Sequence, residues 1–199
     1  MGGGRVQAMM GLMADRIALI AERLEDEDAD RLIEAVAGAR RVFVMGAGRS
    51  GLVAKAFAMR LMHLGLQSYV VGETITPSFG PDDVMVIFSG SGRTRTIVDI
   101  AETAKEIGGR LCVVTASPKS GVATIADVVV EIESSRDAGA DASSEFDRRQ
   151  MTGEHKSFAP LGTLFETAAM VFADAVISRL MELREVDEKQ MKTRHTTLE

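Results

Sequence analysis

The chain has 199 residues, 46% hydrophobic and 26% charged, with a formal net charge of -6. Those values fit one globular domain (1–199) whose core needs no disulfide or structural metal. The acidic balance, the absence of Trp and the single Tyr speak against a nucleic-acid or anionic-membrane partner, and the single cysteine excludes a disulfide framework or a Cys-based zinc site.

No stretch approaches the ~20 apolar residues of a membrane span, and Met1–Arg5 lacks an apolar signal core, so a cytoplasmic location is expected. The N-terminal helices are placed within 10–37. Met13, Ile17, Ile20 and Leu24 recur at helical spacing, and the acidic run Glu25–Asp28 is read as ending that element. A second helix is predicted over Ala29–Ala37, with Leu32, Ile33 and Val36 on one face and Gly38 as its stop.

Between 42 and 131 the pattern changes to short apolar runs separated by helices. The runs are Val42–Met45, Tyr69–Val71, Val84–Phe88, Leu111–Val114 and Val128–Val130. They are continuous, not alternating, as in strands covered on both faces of a parallel sheet. Helices are predicted from Ser50 to Leu64 and along the stripe Ile97, Ile100, Ala101, Ala104 and Ile107. The fold class is therefore α/β, a three-layer, five-stranded parallel sheet with helices on both faces. Cys112 sits inside the fourth run and is read as a small buried hydrophobe.

The stretch 133–158, rich in Ser, Asp, Arg and Gly, is read as a long mobile loop. C-terminal helices are placed within 161–194. The longer, Leu161–Leu183, has a stripe of Phe165, Ala168, Ala169, Phe172, Val176, Leu180 and Leu183. The shorter is capped by Asp187.

Two strands lead directly into glycine-rich turns that open helices, Gly46-Ala-Gly-Arg-Ser-Gly51 and Ser89-Gly-Ser-Gly-Arg-Thr94. Ligands bind at that edge of open α/β sheets. Glycine lets the backbone approach closely, and free N–H groups at a helix start favour an anion. The hydroxyls of Ser89, Ser91 and Thr94 add donors. The first turn fits G-x-G-x-x-G, but no acidic residue stands where a dinucleotide ribose would need it, and the Walker pattern is absent. A small phosphorylated metabolite suits these turns better.

The phrase Ser89–Thr94 after a buried strand resembles the phosphate loop of the sugar isomerase (SIS) domain. Met45–Gly51, Met59–Gly65, Gly72–Pro77, Pro160–Glu166 and Arg194-His195 resemble, in order, the 6-phospho-3-hexuloisomerases. Arg93 departs from that pattern, which has Glu there. It either adds a positive charge beside the phosphate or points to solvent. The resemblance implies a flavodoxin-like strand order and interconversion of 3-hexulose 6-phosphate and fructose 6-phosphate through an enediol, without metal or organic cofactor. It further implies a sugar-phosphate partner held by Gly48, Arg49, Ser50, Ser89, Gly90, Ser91, Gly92, Arg93 and Thr94, and a homotetramer or a dimer with sites near subunit interfaces.

On the residues alone Glu166 reads as a carboxylate complementing a helix dipole; the resemblance makes it the catalytic base. His195, by the same resemblance, is an acid–base or ring-opening group or a ligand to the sugar, in its own site or a neighbour's. His63 is expected at a packing or subunit contact, and His155 has no assigned role. Two alternatives stay open, isomerisation of another phosphosugar and a non-catalytic sugar-phosphate sensor.

Overall fold

The computed structural model describes residues 5–133 and 163–197. The elements follow as α1 (Arg5–Ala21), α2 (Asp26–Gly38), β1 (Val42–Gly46), α3 (Arg49–His63), β2 (Ser68–Val70), β3 (Val84–Phe88), α4 (Arg95–Ile107), β4 (Arg110–Thr115), α5 (Gly121–Ile125), β5 (Val128–Glu131), α6 (Thr163–Leu183) and α7 (Glu188–Thr193). The five strands form one parallel sheet in the order β2-β1-β3-β4-β5, as expected.

Successive strand side chains point to opposite faces, and here both faces are covered. Val84, Val86, Phe88, Cys112 and Val114 join the core made with α2, α3 and α6. Met85, Ile87, Leu111 and Val113 join the core made with α4 and α5. That double coverage is why the strands read as unbroken apolar runs. Cys112 is fully buried, and burial pushes its thiol up to about 12, so it packs and does not react.

Several boundaries differ from expectation. The acidic run does not end α1, which stops at Ala21; Asp26, Glu27 and Asp28 instead form the first turn of α2, where they complement the positive end of its dipole. The five-residue α5 was not foreseen, being too short to show a helical period. Ile107 and Leu183, placed on apolar stripes, are 43% and 53% exposed because each lies at the last turn of its helix, beyond the surface it covers. Asp187 caps α7 as expected, accepting from the Gln190 amide at 2.8 Å, while its own amide donates to the Gln190 side chain at 2.9 Å. The stretch 134–158 and the start of the last long helix at Leu161 lie outside the described residues. Among the described residues no helix is long and apolar enough to cross a membrane.

At the edge of the sheet where the strands begin, Asp83 ties β3 to β1. Its buried carboxylate accepts from Arg41 Nε at 2.9 Å, Arg41 Nη2 at 2.6 Å and the Gly80 amide at 2.7 Å. Burial alone would raise this carboxyl, but the Arg41 and Gly80 bonds outweigh it and hold it below its ordinary range. Asp83→Ala is expected to destabilise the chain by roughly 3 kcal/mol at neutral pH, because it strands the Arg41 charge. A carboxyl depressed in the native state stabilises fully above the unfolded value, and the contribution fades as pH falls through the native one. The gap between wild type and variant in urea midpoint should therefore narrow as pH falls below the ordinary carboxylate range; a constant gap would contradict the assignment.

Candidate active site

β1 and β3 are neighbours, and their last residues, Gly46 and Phe88, pair in register. The turns that follow thus leave the sheet side by side. β2 lies beyond β1 and β4 beyond β3, so strand order reverses between them and opens the crevice where such sheets bind ligands. Gly48 stands at the N-cap of α3 and Thr94 at that of α4, and neither helix start receives a side-chain capping bond. Helix N-termini left in this way favour an anion.

The turn 89–94 is braced from behind. The Gly90 carbonyl accepts from the Ala116 amide at 3.2 Å and Thr115 Oγ1 at 3.3 Å, and the Gly92 carbonyl accepts from the Val122 amide at 3.2 Å. The Ser89 hydroxyl is buried and accepts from the Gly92 amide at 3.1 Å. The Gly90, Ser91 and Thr94 amides make no hydrogen bond among the described residues. Carbonyls tied to the protein and N–H groups left unpaired make a lining suited to an oxyanion.

The first turn of α6 closes the crevice. Phe165 lies against Gly90, its Cδ1 3.0 Å from where a Cβ on that glycine would stand. The next residue, Glu166, accepts from Arg49 Nε at 2.6 Å. Its side chain is only 14% exposed, whereas that of Arg49 is 59% exposed. α6 therefore touches the second turn through Phe165 and the first through Glu166. The structure brings together Gly48, Arg49, Ser50, Glu166 and the 89–94 turn. Ser50 is buried in the first turn of α3, Ser91 is half-buried, and Arg93 and Thr94 are exposed.

His195 is not brought to this crevice within the chain. Its ring stacks on His63 with centroids 5.0 Å apart and an interplanar angle of 28°, and Arg194 Nη1 donates to the His63 carbonyl at 3.2 Å. Arg49 and His63 are the first and last residues of α3, so about 20 Å of helix separates the two places. His63 is buried, as a packing residue should be. Burial, then the neighbouring His195 and Arg60, hold its imidazole below its ordinary value. Among the described residues no group of three or more His, Cys, Asp or Glu is placed to hold a metal.

Sequence reading does not single out Thr115, Ser120 and Val122, and it places Phe165 only on the apolar stripe of the last long helix. A signal existed, since Thr115-Ala-Ser-Pro-Lys-Ser120 is a third Ser/Thr-bearing strand-to-helix turn at the same edge.

The SIS domain family matches residues 35–146, just over half the chain. The 3-hexulose-6-phosphate isomerase of Mycobacterium gastri is 38% identical over 197 residues, covering 99% of this chain and 93% of that protein. That of Bacillus subtilis is 37% identical over 179 residues, covering 90% and 91%. A crystal structure of a hypothetical protein from Methanococcus jannaschii, for which the function of 3-hexulose-6-phosphate isomerase was inferred, superposes with a TM-score of 0.80 at 32% identity, covering 96% and 99%. The chain belongs to the SIS domain family and to its 3-hexulose-6-phosphate isomerase group.

Proposed function

We propose that the chain interconverts 3-hexulose 6-phosphate and fructose 6-phosphate. The observation that carries this reading is the first turn of α6, which sets the Glu166 carboxylate on Arg49 while Phe165 rests on the 89–94 turn. The phosphate is held by the unpaired amides and hydroxyls of Ser89–Thr94, with Gly48, Arg49 and Ser50 supplying the facing wall. Glu166 removes the proton at C2 as the C3 carbonyl gains one, giving a 2,3-enediol. Return of the proton to C3 and collapse of the C2 hydroxyl to a ketone complete the shift. Oxidation at C2 balances reduction at C3 within one substrate, so no external reductant enters. The names of the relatives support the choice of sugar.

His195 serves the crevice of a neighbouring copy in a homotetramer. Its distance from Glu166 along α3 supports this, as do the exposed apolar side chains Leu52, Met59 and Met62 on α3 and Val171 on α6. Incubation with 3-hexulose 6-phosphate should yield fructose 6-phosphate, read by a coupled dehydrogenase. Saturable binding of the sugar phosphate without turnover would overturn the enzymatic reading.

A further inference from the structure

Behind the phosphate turn stands a serine with no evident local purpose. Ser120 is 2% exposed, and its hydroxyl is the one buried side-chain oxygen or nitrogen among the described residues with no hydrogen-bond partner. It occupies the N-cap position of α5, where serine normally accepts from the helix start, but it makes no capping bond. Instead the oxygen is aimed at Gly92: a Cβ on that glycine would stand 1.9 Å from Ser120 Oγ and 2.6 Å from Ser120 Cβ. Two residues on, the Val122 amide donates to the Gly92 carbonyl at 3.2 Å. The β4–α5 connection therefore grips the phosphate turn at Gly92 through one bond that is made and one donor that is not.

A buried hydroxyl without a partner destabilises the fold. Simple space-filling would be met equally well by alanine, and capping is not what the side chain does. What remains is a partner acquired when the turn changes shape. Gly92 has its amide on Ser89 Oγ at 3.1 Å, and an oxyanion competing for the amides of this turn would shift the backbone directly beneath Ser120. We propose that Ser120 is a positioning residue for the phosphate turn, its hydroxyl unpaired as the turn now stands and paired to the turn backbone once a phosphate monoester draws those amides inward. The inference rests on the reading of 89–94 as the phosphate cradle and deepens it.

The test is Ser120→Ala, with Ser120→Cys as a variant of similar volume and weaker donor strength. Without added phosphate the alanine variant should melt no lower than wild type, because it removes an unsatisfied group. Its affinity for fructose 6-phosphate should fall about tenfold, and KM should rise equally with kcat held, the size expected for one net hydrogen bond. The cysteine variant should fall between the two. Opposite signs in stability and affinity are what a merely structural serine would not give. Unchanged affinity and KM would reduce Ser120 to a spacer and overturn the proposal, as would a lowered melting point with a parallel fall in kcat. Failure of the wild-type chain to bind fructose 6-phosphate would instead remove the phosphate-cradle reading, and this inference with it.

Discussion

Glu166→Gln is expected to lower kcat by about 10²–10⁴-fold, the range a positioned general base contributes, with little change in fructose 6-phosphate affinity. Glutamine has the same length, and its carbonyl oxygen can still accept from Arg49 Nε, which is 2.6 Å from Glu166 Oε2. What it cannot do is take a proton from carbon. If the phosphate is held as proposed, on groups other than Glu166, the ground state should be bound nearly as before and the loss confined to the step that breaks the C–H bond. A variant retaining near-normal kcat would exclude Glu166 as the base. The same variant probes His195. If that residue acts across a subunit boundary, His195→Ala is also slow, and hybrids assembled from Glu166→Gln and His195→Ala chains regain activity, because some crevices then combine both intact groups. Hybrids no faster than their parents would confine each site to one chain, and the stacking of His195 on His63 would become its only role.

How much of this was readable in advance depends on the range of the interaction. The strands announce themselves because both faces of the sheet are buried, so Val84–Phe88 has no polar position to interrupt it. Both glycine turns are local signatures, and so is the Asp187 cap, whose partner Gln190 is three residues away. The acidic run Glu25–Asp28 reads ambiguously, because charge alone marks a terminus without saying which; the dipole argument places it at the start of α2. Glu166 could be named only through resemblance, since its partner Arg49 lies 117 residues earlier and no periodicity connects them. Ser120 does not stand out in the sequence, because a Ser/Pro turn before a five-residue helix reads as ordinary connection. Its buried, unpaired hydroxyl exists only once β4 is set beside β3.

The second large effect concerns the first turn. Gly46→Ala should destabilise the chain by roughly 2–3 kcal/mol, the upper range for overpacking, and should lower kcat/KM even where the variant is fully folded. A Cβ at Gly46 would stand 2.6 Å from the backbone C and O of Ser50 and 2.8 Å from the amide nitrogen of Gly51. Backbone atoms in the first turn of α3 cannot rotate aside as a side chain can, so the helix start itself must move. The approach is mutual, since a Cβ on Gly51 would stand 2.8 Å from the Gly46 carbonyl oxygen. The glycine spacing over 46–51 is thus accounted for by the close passage of a strand end and a helix start, and needs no dinucleotide to explain it. Arg49 lies in the turn that would be displaced, and its short bond to Glu166 would lengthen with it. Gly11→Ala is the control: it sits inside α1 with nothing within 4 Å of the added methyl, and there alanine should be neutral or stabilising. Thermal melts and kinetics well below the melting point separate the two consequences. A Gly46→Ala chain that is less stable but fully active when folded would mean that the position of the α3 start matters to the fold and not to the chemistry.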